Sequence, residues 1–286
     1  EPEPAAPSAT VAWIRRAAEQ IRAGRQVRQR LALLEIFGGQ PRPWSMTGAT
    51  QRLALKLRAP RWALSLDRGF EPSENVLESA LQSDICVIID AGIVDVLWMG
   101  TPCESVCIMW TLHGPHPFRS RWEPDGRADM PDHWRSYALM HNAFIAFTAK
   151  LARRQHAAGG SVFIENVVDV GNPRSPYYQR RKRHHVSLWI TSWMRLLAQD
   201  IELSWGTTDM CGWLGRFHKP TTVAGAGPKA RAYLAEVNKV RCITAIHILR
   251  ATGIKPDGTN WSREAGQYPQ LFCAYGAATW LSEWLP

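Results

Sequence analysis

Short apolar runs alternate with segments of helical spacing along most of the chain, and this alternation constrains the fold more than any other feature. Five runs are typical of buried strands: LALLEIF (31–37), WALSLD (62–67), DVLWMG (95–100), SVFIEN (161–166) and the run at 201–208. Strands that alternate with helices form a mostly parallel sheet covered on both faces. The sequence therefore predicts an α/β fold with a doubly wound, mostly parallel sheet.

Helical spacing appears in four segments. The first follows the Pro/Ala-rich opening, where Ser8 or Thr10 can cap a helix that continues to Ile21 and ends at Gly24. The other three segments lie at about 73–91, 134–156 and 187–199. Near the C-terminus, four large apolar residues also follow helical spacing and are predicted to pack into the core: Trp280, Leu281, Trp284 and Leu285.

The composition bounds the class of protein. Of the 286 residues, 45% are hydrophobic and 21% are charged, which excludes disorder for most of the chain. The 34 basic and 25 acidic residues give a formal net charge of +9, and so basic a chain favours polyanionic partners. The longest apolar run, at 85–100, is interrupted by Asp90 and Asp95, so we expect no membrane span.

The cysteines bear on the compartment. Six are scattered along the chain without a CxxC pair, which argues against a disulfide scaffold and against a zinc module. We therefore expect reduced thiols in an intracellular protein. The basic run QRRKRHH (179–185) is typical of a nuclear localisation signal and favours the nucleus. An organelle is the alternative if a targeting peptide has been removed.

Residues with useful chemistry follow four of the strands. Gly38 and Gly39 come after the first strand, Asp67 ends the second, Cys103 follows the third and Glu165 lies at the end of the fourth. The carboxyl ends of parallel strands meet at one edge of a sheet. A glycine turn lets backbone N–H groups approach a ligand, and an acid at the next strand end can accept the hydroxyls of a ribose. This pairing is typical of a site for a nucleoside-containing cofactor.

Each of these residues also has a plainer interpretation. Glycine after a strand and aspartate at a strand end are common turn chemistry. Cys103 can be a buried apolar thiol, and Glu165 can cap a helix instead of serving as a general acid or base.

In chain order, the segments LEIFGG, SLD, MGTPCES and FIENV resemble the DNA cytosine-5 methyltransferases. The closest resemblance is to the compact, divergent members carried by retroelements of some eukaryotic microbes. It extends from about residue 31 to 284 and includes MCGWLGRFHKPTT (210–222) and WSREAGQYP (261–269). It implies a Rossmann-like domain of the S-adenosylmethionine-dependent methyltransferase type over 31–286, preceded by a linker and an N-terminal helix at 1–30. This domain lacks a sizeable target-recognition domain.

The resemblance implies an activity and a set of site residues. The activity is methyl transfer from S-adenosylmethionine to C5 of cytosine in DNA. Cys103 would add to C6 of the base and Glu165 would contact the pyrimidine; C5 would then take the methyl group and lose its proton. The implied cofactor-binding residues are Phe37, Gly38, Gly39, Asp67 and Gly100.

Nucleic acid is the expected partner. The basic residues proposed to contact it are Arg180, Arg181, Lys182, Arg183, Arg216 and Lys219. A solvated loop is the plainer interpretation of the run at 179–185. The resemblance favours DNA, while RNA methylation would use the same cofactor. No metal site is expected, because the His and Asp residues between 113 and 133 lack ligand spacing on one helix face.

Four departures from the family pattern keep a second function open. Pro41 stands where the glycine loop usually has another glycine, and Thr101 stands where the catalytic turn usually has a proline. The segment GRFHKPTT (215–222) replaces a Gln-x-Arg-x-Arg pattern, and only about 25 residues (223–247) occupy the place of a recognition domain. The alternative is a catalytically inactive methyltransferase-fold protein that serves as a structural or nucleic-acid-binding subunit of a larger assembly.

Overall fold

The computed structural model describes residues 7–39, 42–69, 71–111, 114–243 and 267–285. In these ranges the strands are β1 (Arg30–Ile36), β2 (Arg61–Leu66), β3 (Val96–Met99), β4 (Ser161–Val167), β5 (Ser204–Asp209) and β6 (Pro220–Ala226). The helices are α1 (Ala9–Arg22), α2 (Met46–Leu57), α3 (Ser79–Asp90), α4 (Asp132–Ala157), α5 (Ser192–Asp200), α6 (Ala230–Val237) and α7 (Gln270–Trp280). None of these helices is long and apolar enough to cross a membrane.

The six described strands form one sheet in the order β2-β1-β3-β4-β6-β5. β1 pairs in parallel with β2 and β3, and β3 pairs in parallel with β4. β6 runs antiparallel to both of its neighbours, β4 and β5. The prediction of an α/β fold with a mostly parallel sheet is confirmed, and the architecture is compatible with a Rossmann-like fold. The sequence did not predict the reversed strand β6.

Two hydrophobic cores cover the two faces of the sheet. Helices α1, α3, α4 and α5 pack on one face, and α2, α6 and α7 pack on the other. Successive side chains of a strand point to opposite faces, so in β3 Leu97 and Met99 enter the first core while Val96 and Trp98 enter the second. The sheet is therefore doubly wound.

Trp98 is the centre of the second core. Its ring is fully buried, with centroids 5.7 to 6.3 Å from those of Phe163, Tyr233, Phe272 and Trp280. Burying one large apolar side chain stabilises a fold by about 1.5–3 kcal/mol, and aromatic pairs add to that. This cluster fixes α6 and α7 against the strands that carry the candidate site.

The predicted N-terminal helix is confirmed, and it packs into the same domain. The Ser8 hydroxyl oxygen accepts a hydrogen bond from the Val11 N–H at 3.1 Å, which is the expected cap. The same hydroxyl donates to the buried carboxylate of Glu74 at 2.8 Å. Val11 and Ile14 are fully buried in the first core. The helix is therefore part of the fold, while residues 1–6 lie outside the described ranges.

Two predicted helices begin later than expected. In the segment at 73–91, the Asn75 side chain accepts from the Leu77 N–H at 3.2 Å, so α3 begins only at Ser79. In the segment at 187–199, the Ser187 hydroxyl oxygen accepts from the Trp189 N–H, and α5 begins only at Ser192. In both places a polar side chain bonds to the backbone two residues ahead and competes with the helical hydrogen bonds.

The C-terminal prediction holds in part. Trp280 and Leu281 are buried, as expected, but α7 ends at Trp280 and leaves Trp284 and Leu285 at 37% and 42% exposure. Within the segment at 223–247, which occupies the place of a recognition domain in the family pattern, residues 223–237 belong mainly to β6 and α6, and residues 244–247 lie outside the described ranges. Residues 223–237 complete the sheet and its second core.

Candidate active site

One edge of the sheet collects the candidate residues. β1 to β4 are parallel, so the residues that follow them emerge at the same edge. β6 is antiparallel to β4 and begins at this edge, with Thr222 opposite Asn166 and Thr221 opposite Val167. Lys219, which directly precedes β6, therefore lies beside the end of β4.

The turn that carries Cys103 is held from two sides. Thr101 is buried, and its hydroxyl lies 3.0 Å from the hydroxyl of Thr148 in α4. The Thr101 carbonyl accepts a hydrogen bond from the Asn166 side chain in β4 at 2.7 Å. Cys103 then starts a 3-10 turn, in which its carbonyl accepts from the Val106 N–H at 2.9 Å. The backbone at the cysteine is thus fixed to both β4 and α4.

Buried side chains also hold the next residues of this turn. The Arg119 guanidinium donates to the Ser105 carbonyl at 3.1 Å and to the Ser105 hydroxyl at 3.0 Å. The Nε2 atoms of His116 and His185 lie 3.0 Å from the carbonyls of Ser105 and Val106. Burial and the nearby Arg119 lower the pKa of His116 to about 3, so this ring is neutral at pH 7.

Glu165 lies in β4 with both carboxylate oxygens bound. Its Oε1 accepts a hydrogen bond from Lys219 Nζ at 3.2 Å, and its Oε2 accepts from the Tyr268 hydroxyl at 3.1 Å. The Tyr268 oxygen in turn accepts from the indole N–H of Trp98 at 3.1 Å. Glu165 is 5% exposed, so this network orients a buried carboxylate.

The two charged side chains near Cys103 have opposite effects on the pKa of its thiol. Burial raises the pKa of the Cys103 thiol to about 12, while Lys219 acts to lower it and Glu165 acts to raise it. The thiol is therefore protonated at pH 7. Burial by itself would lower the pKa of Lys219, but the Glu165 carboxylate outweighs it together with the nearby cysteines, and the net shift is upward. Lys219 remains a cation beside the thiol, and it favours the thiolate.

The glycine turn after β1 contacts the acid after β2. Phe37 and Gly39 both have left-handed backbones, with φ of 63° and 74°. The Gly39 N–H donates to Asp67 Oδ2 at 2.7 Å, and the Gly69 N–H donates to Asp67 Oδ1 at 2.8 Å. An ionised carboxylate has about four acceptor positions, so Asp67 keeps about two for a ligand.

Gly38 is packed tightly beneath this turn. A Cβ at Gly38 would lie 2.6 Å from the Glu35 Cδ and 2.6 Å from the Ser65 hydroxyl oxygen. Glu35 is fully buried, and its Oε2 accepts from the N–H and the hydroxyl of Thr47 at 3.1 and 2.5 Å. Only glycine fits at position 38.

Gly100 lies next to both the Tyr268 hydroxyl, which binds Glu165, and the glycine turn after β1. A Cβ at this position would lie 2.7 Å from the Tyr268 hydroxyl and 3.0 Å from the Phe37 carbonyl. One side of Gly100 therefore faces the residue that binds Glu165, and another faces the turn after β1. The predicted catalytic residues and the predicted cofactor-binding residues therefore lie at the same edge of the sheet.

The predicted nucleic-acid-binding residues divide into two groups. Arg180–Lys182 form a 3-10 turn on the surface; Arg180, Arg181 and Arg183 are exposed, whereas burial lowers the pKa of the half-buried Lys182. Arg216 is also exposed. Lys219 is only 16% exposed and lies inside the site, bound to Glu165. Its position is that of a partner of the carboxylate.

Sequence reasoning gave no role to Tyr268, Asn166 or Thr101 as partners of the site. Tyr268 belongs to the segment at 261–269, of which residues 261–266 lie outside the described ranges, as do Gln40 and Pro41. A local signal was present for Asn166, which directly follows Glu165, and for Thr101, which lies two residues before Cys103.

Across the ranges that the structure describes, no group of three His, Cys, Asp or Glu side chains is arranged to hold a metal ion. Compared with the models of known protein families and with curated protein sequences, the chain matches none of them.

Proposed function

We propose that this protein methylates C5 of cytosine in DNA, with S-adenosylmethionine as the methyl donor and Cys103 as the covalent nucleophile. We also propose that its α/β domain is of the S-adenosylmethionine-dependent methyltransferase type. The observation that carries the proposal is the charge arrangement at the sheet edge: a fixed thiol shares its surroundings with the ion pair of Lys219 and Glu165.

The residues after β1 and β2 fit the ribose of such a cofactor. Asp67 retains acceptor positions, and among the described residues that are not its chain neighbours no atom lies within 4 Å of the place where a Cβ at Gly39 would stand. The residues that would bind the cofactor are Gly39 and Asp67. Phe37 and Gly100 lie on the side that faces Cys103 and Glu165. When bound, S-adenosylmethionine supplies an electrophilic methyl group. Binding by these residues would orient that group toward the base.

The protonated thiol and the carboxyl group near it suggest separate roles for Cys103 and Glu165 in the reaction. The thiol has to lose its proton before it can add to C6 of cytosine. A proton that passes from Cys103 to the Glu165 carboxylate would create the two species that the reaction needs. The thiolate would add at C6, and the protonated carboxyl would donate to N3 and withdraw electrons from the ring. Lys219 would stabilise the thiolate while this proton is transferred.

The second candidate function is that of a catalytically inactive methyltransferase-fold protein, which would serve as a structural or nucleic-acid-binding subunit of a larger assembly. The observation that favours it is the resting state of the site. The thiol has a pKa of about 12, and both Glu165 oxygens already accept hydrogen bonds from the protein. In that case the same contacts would serve to stabilise the sheet edge.

A trapping experiment separates the two functions. DNA that contains 5-fluorocytosine should form a covalent complex with the protein in the presence of S-adenosylmethionine, because fluorine cannot leave as a proton does. The Cys103→Ser variant should form none, since a hydroxyl is a much weaker nucleophile at neutral pH. Cys107→Ser is the matched control and should still be trapped. Absence of a complex with the unaltered protein would reject the enzyme and favour the binding subunit.

A further inference from the structure

A basic cleft of about 570 Å³ lies outside the site described above. Its walls come from the loop before α4, from the segment that follows β4 and from α5. The side chains that matter for its chemistry are Trp122, Arg127, Tyr178, Arg183, His184 and Arg195. No acidic side chain is among the described residues that line it.

Part of the positive charge of the cleft is already neutralised. Arg121 forms a two-pronged ion pair with Asp169, with distances of 2.8 and 3.0 Å. Arg127 does the same with Asp129, at 2.8 and 2.6 Å. Arg119 is buried in the wall, where it donates to the protein at several points. Arg121 and Arg127 therefore add little net charge to the cleft, whereas Arg119 is bound to neutral acceptors and stays a cation in its wall.

Arg183 and Arg195 supply the excess charge. Both line the cleft, and within the described part of the chain neither side chain takes part in a hydrogen bond or an ion pair. A guanidinium presents its N–H groups in a fixed fork that matches two oxygens of a phosphate. Two uncommitted guanidiniums in one cleft without acids therefore favour a phosphate-bearing ligand.

Aromatic rings stand beside these cations. Trp122 is 94% exposed, although an indole of this size is usually packed against other apolar groups. Tyr178 also lines the cleft and is 36% exposed. A flat ring that stays accessible beside a phosphate-binding group is suited to stack on a nucleobase. The combination matches the two parts of a nucleotide.

We propose that this cleft binds one nucleotide unit, with its phosphate on Arg183 and Arg195 and its base against Trp122 or Tyr178. A single-stranded nucleic acid and a free mononucleotide share this chemistry. The cleft contains neither Cys103 nor Glu165, so binding there does not depend on methyl transfer. Its inner wall does include Arg119, which holds Ser105 in the turn that Cys103 begins.

The test is a binding titration with a fluorescent single-stranded oligonucleotide of about ten residues, followed by anisotropy over a range of salt concentrations. Arg183→Ala/Arg195→Ala should weaken binding about tenfold or more, and it should reduce the salt slope by about 0.7, the amount expected for the loss of one neutralised phosphate. Trp122→Ala should weaken binding about fivefold or more with an unchanged salt slope, because stacking involves no counterion.

The matched control is Arg52→Ala/Lys56→Ala, which removes the same charge from the exposed face of α2. The proposal is overturned if this control weakens binding as much as Arg183→Ala/Arg195→Ala does. It is also overturned if only Arg180→Ala/Arg181→Ala weakens binding, or if the unaltered protein binds neither the strand nor a mononucleotide.

Competition identifies the source of the nucleotide. Displacement of the strand by a nucleoside monophosphate at similar concentration supports a free nucleotide as the natural ligand, whereas displacement only by unlabelled strand supports nucleic acid. Inorganic phosphate reports on the phosphate position alone and should compete weakly. Cys103→Ser should bind the strand normally, so failure of covalent trapping and failure of this cleft are separate results.

Discussion

Lys219 Nζ lies 3.2 Å from Glu165 Oε1, and this contact joins two strands that run in opposite directions. Lys219 directly precedes β6 and Glu165 lies in β4, so the pair forms only because β6 begins where β4 ends. The two side chains are 16% and 7% exposed, which limits screening by water. Their opposite effects on the Cys103 thiol can therefore be measured separately.

Removal of the lysine charge should make Cys103 less reactive. In Lys219→Met the thiol loses the cation that lowers its pKa, so we expect alkylation of Cys103 at pH 9 to slow about threefold or more. Lys219→Arg keeps the charge and should react at a rate closer to that of the unaltered protein. The rate is read from the mass of the peptide that contains Cys103 at successive times after addition of iodoacetamide.

Removal of the carboxylate charge should have the opposite effect. Glu165 raises the pKa of the Cys103 thiol, so Glu165→Gln should speed its alkylation at the same pH. The same variant should reduce covalent trapping by 5-fluorocytosine DNA, because an amide cannot deliver a proton to N3. Faster alkylation together with unreduced trapping would show that Glu165 affects the thiol but takes no part in the reaction.

Asp67 should contribute to the affinity for S-adenosylmethionine. Asp67→Ala removes the proposed acceptor for the cofactor's hydroxyls and should weaken binding by about 1–3 kcal/mol in a calorimetric titration. The substitution also leaves the N–H groups of Gly39 and Gly69 without their acceptor. Asp67→Asn preserves one oxygen and should bind more tightly than the alanine variant. Equal affinity in all three proteins, each folded by circular dichroism, would assign Asp67 to the turn alone.

The residues at the strand ends could be predicted to lie close together because the carboxyl ends of parallel strands meet at one edge of a sheet. Gly39 and Asp67 are 28 residues apart and are hydrogen-bonded at the predicted edge. The contact of Lys219 with Glu165 could not be predicted in this way, since it depends on strand order and on the reversed β6. Tyr268 reaches Glu165 across 103 residues, and nothing local in the sequence indicates that contact.

Helix α2 was missed for a local reason. It follows a segment rich in proline and has Gly48 in its first turn, a pattern typical of a loop. The structure explains the glycine, because a Cβ there would overlap the carbonyls of Arg42 and Pro43. The segment just before the helix passes so close to it that only glycine fits at position 48.

Gly38 and Gly39 offer a matched pair of substitutions. Gly38→Ala should be the more destabilising, because its Cβ would overlap the buried Glu35 and the Ser65 hydroxyl. In the described part of the chain the new Cβ of Gly39→Ala meets no atom within 4 Å, but the residue has to adopt a φ of 74°, at a cost of about 1 kcal/mol. Urea denaturation of the two variants gives the comparison. A larger decrease in the free energy of unfolding for Gly39→Ala would mean that Glu35 and Ser65 can move to make room for a Cβ at position 38.

Glu35 should make stability depend on pH. Burial raises the pKa of this carboxyl from its ordinary 4.5 to about 7, against the opposing hydrogen bonds from Thr47. The folded protein therefore binds more protons than the unfolded chain between these two values, and the free energy of unfolding should fall as the pH rises through this window. The loss at pH 8 relative to pH 4 amounts to about 3 kcal/mol for this one group.

Glu35→Gln isolates the contribution of this group. A glutamine oxygen can accept from the N–H and the hydroxyl of Thr47, and its amide takes the place of Oε1, which has no hydrogen-bond partner. The variant should therefore gain stability over the unaltered protein as the pH rises from 4.5 to 7, in urea titrations at several pH values. Glu202→Gln removes an exposed carboxylate and should leave the curve nearly unchanged. If the free energies of unfolding of Glu35→Gln and of the unaltered protein differ by a constant amount from pH 4.5 to 7, Glu35 is already ionised in the folded state and the burial argument is wrong.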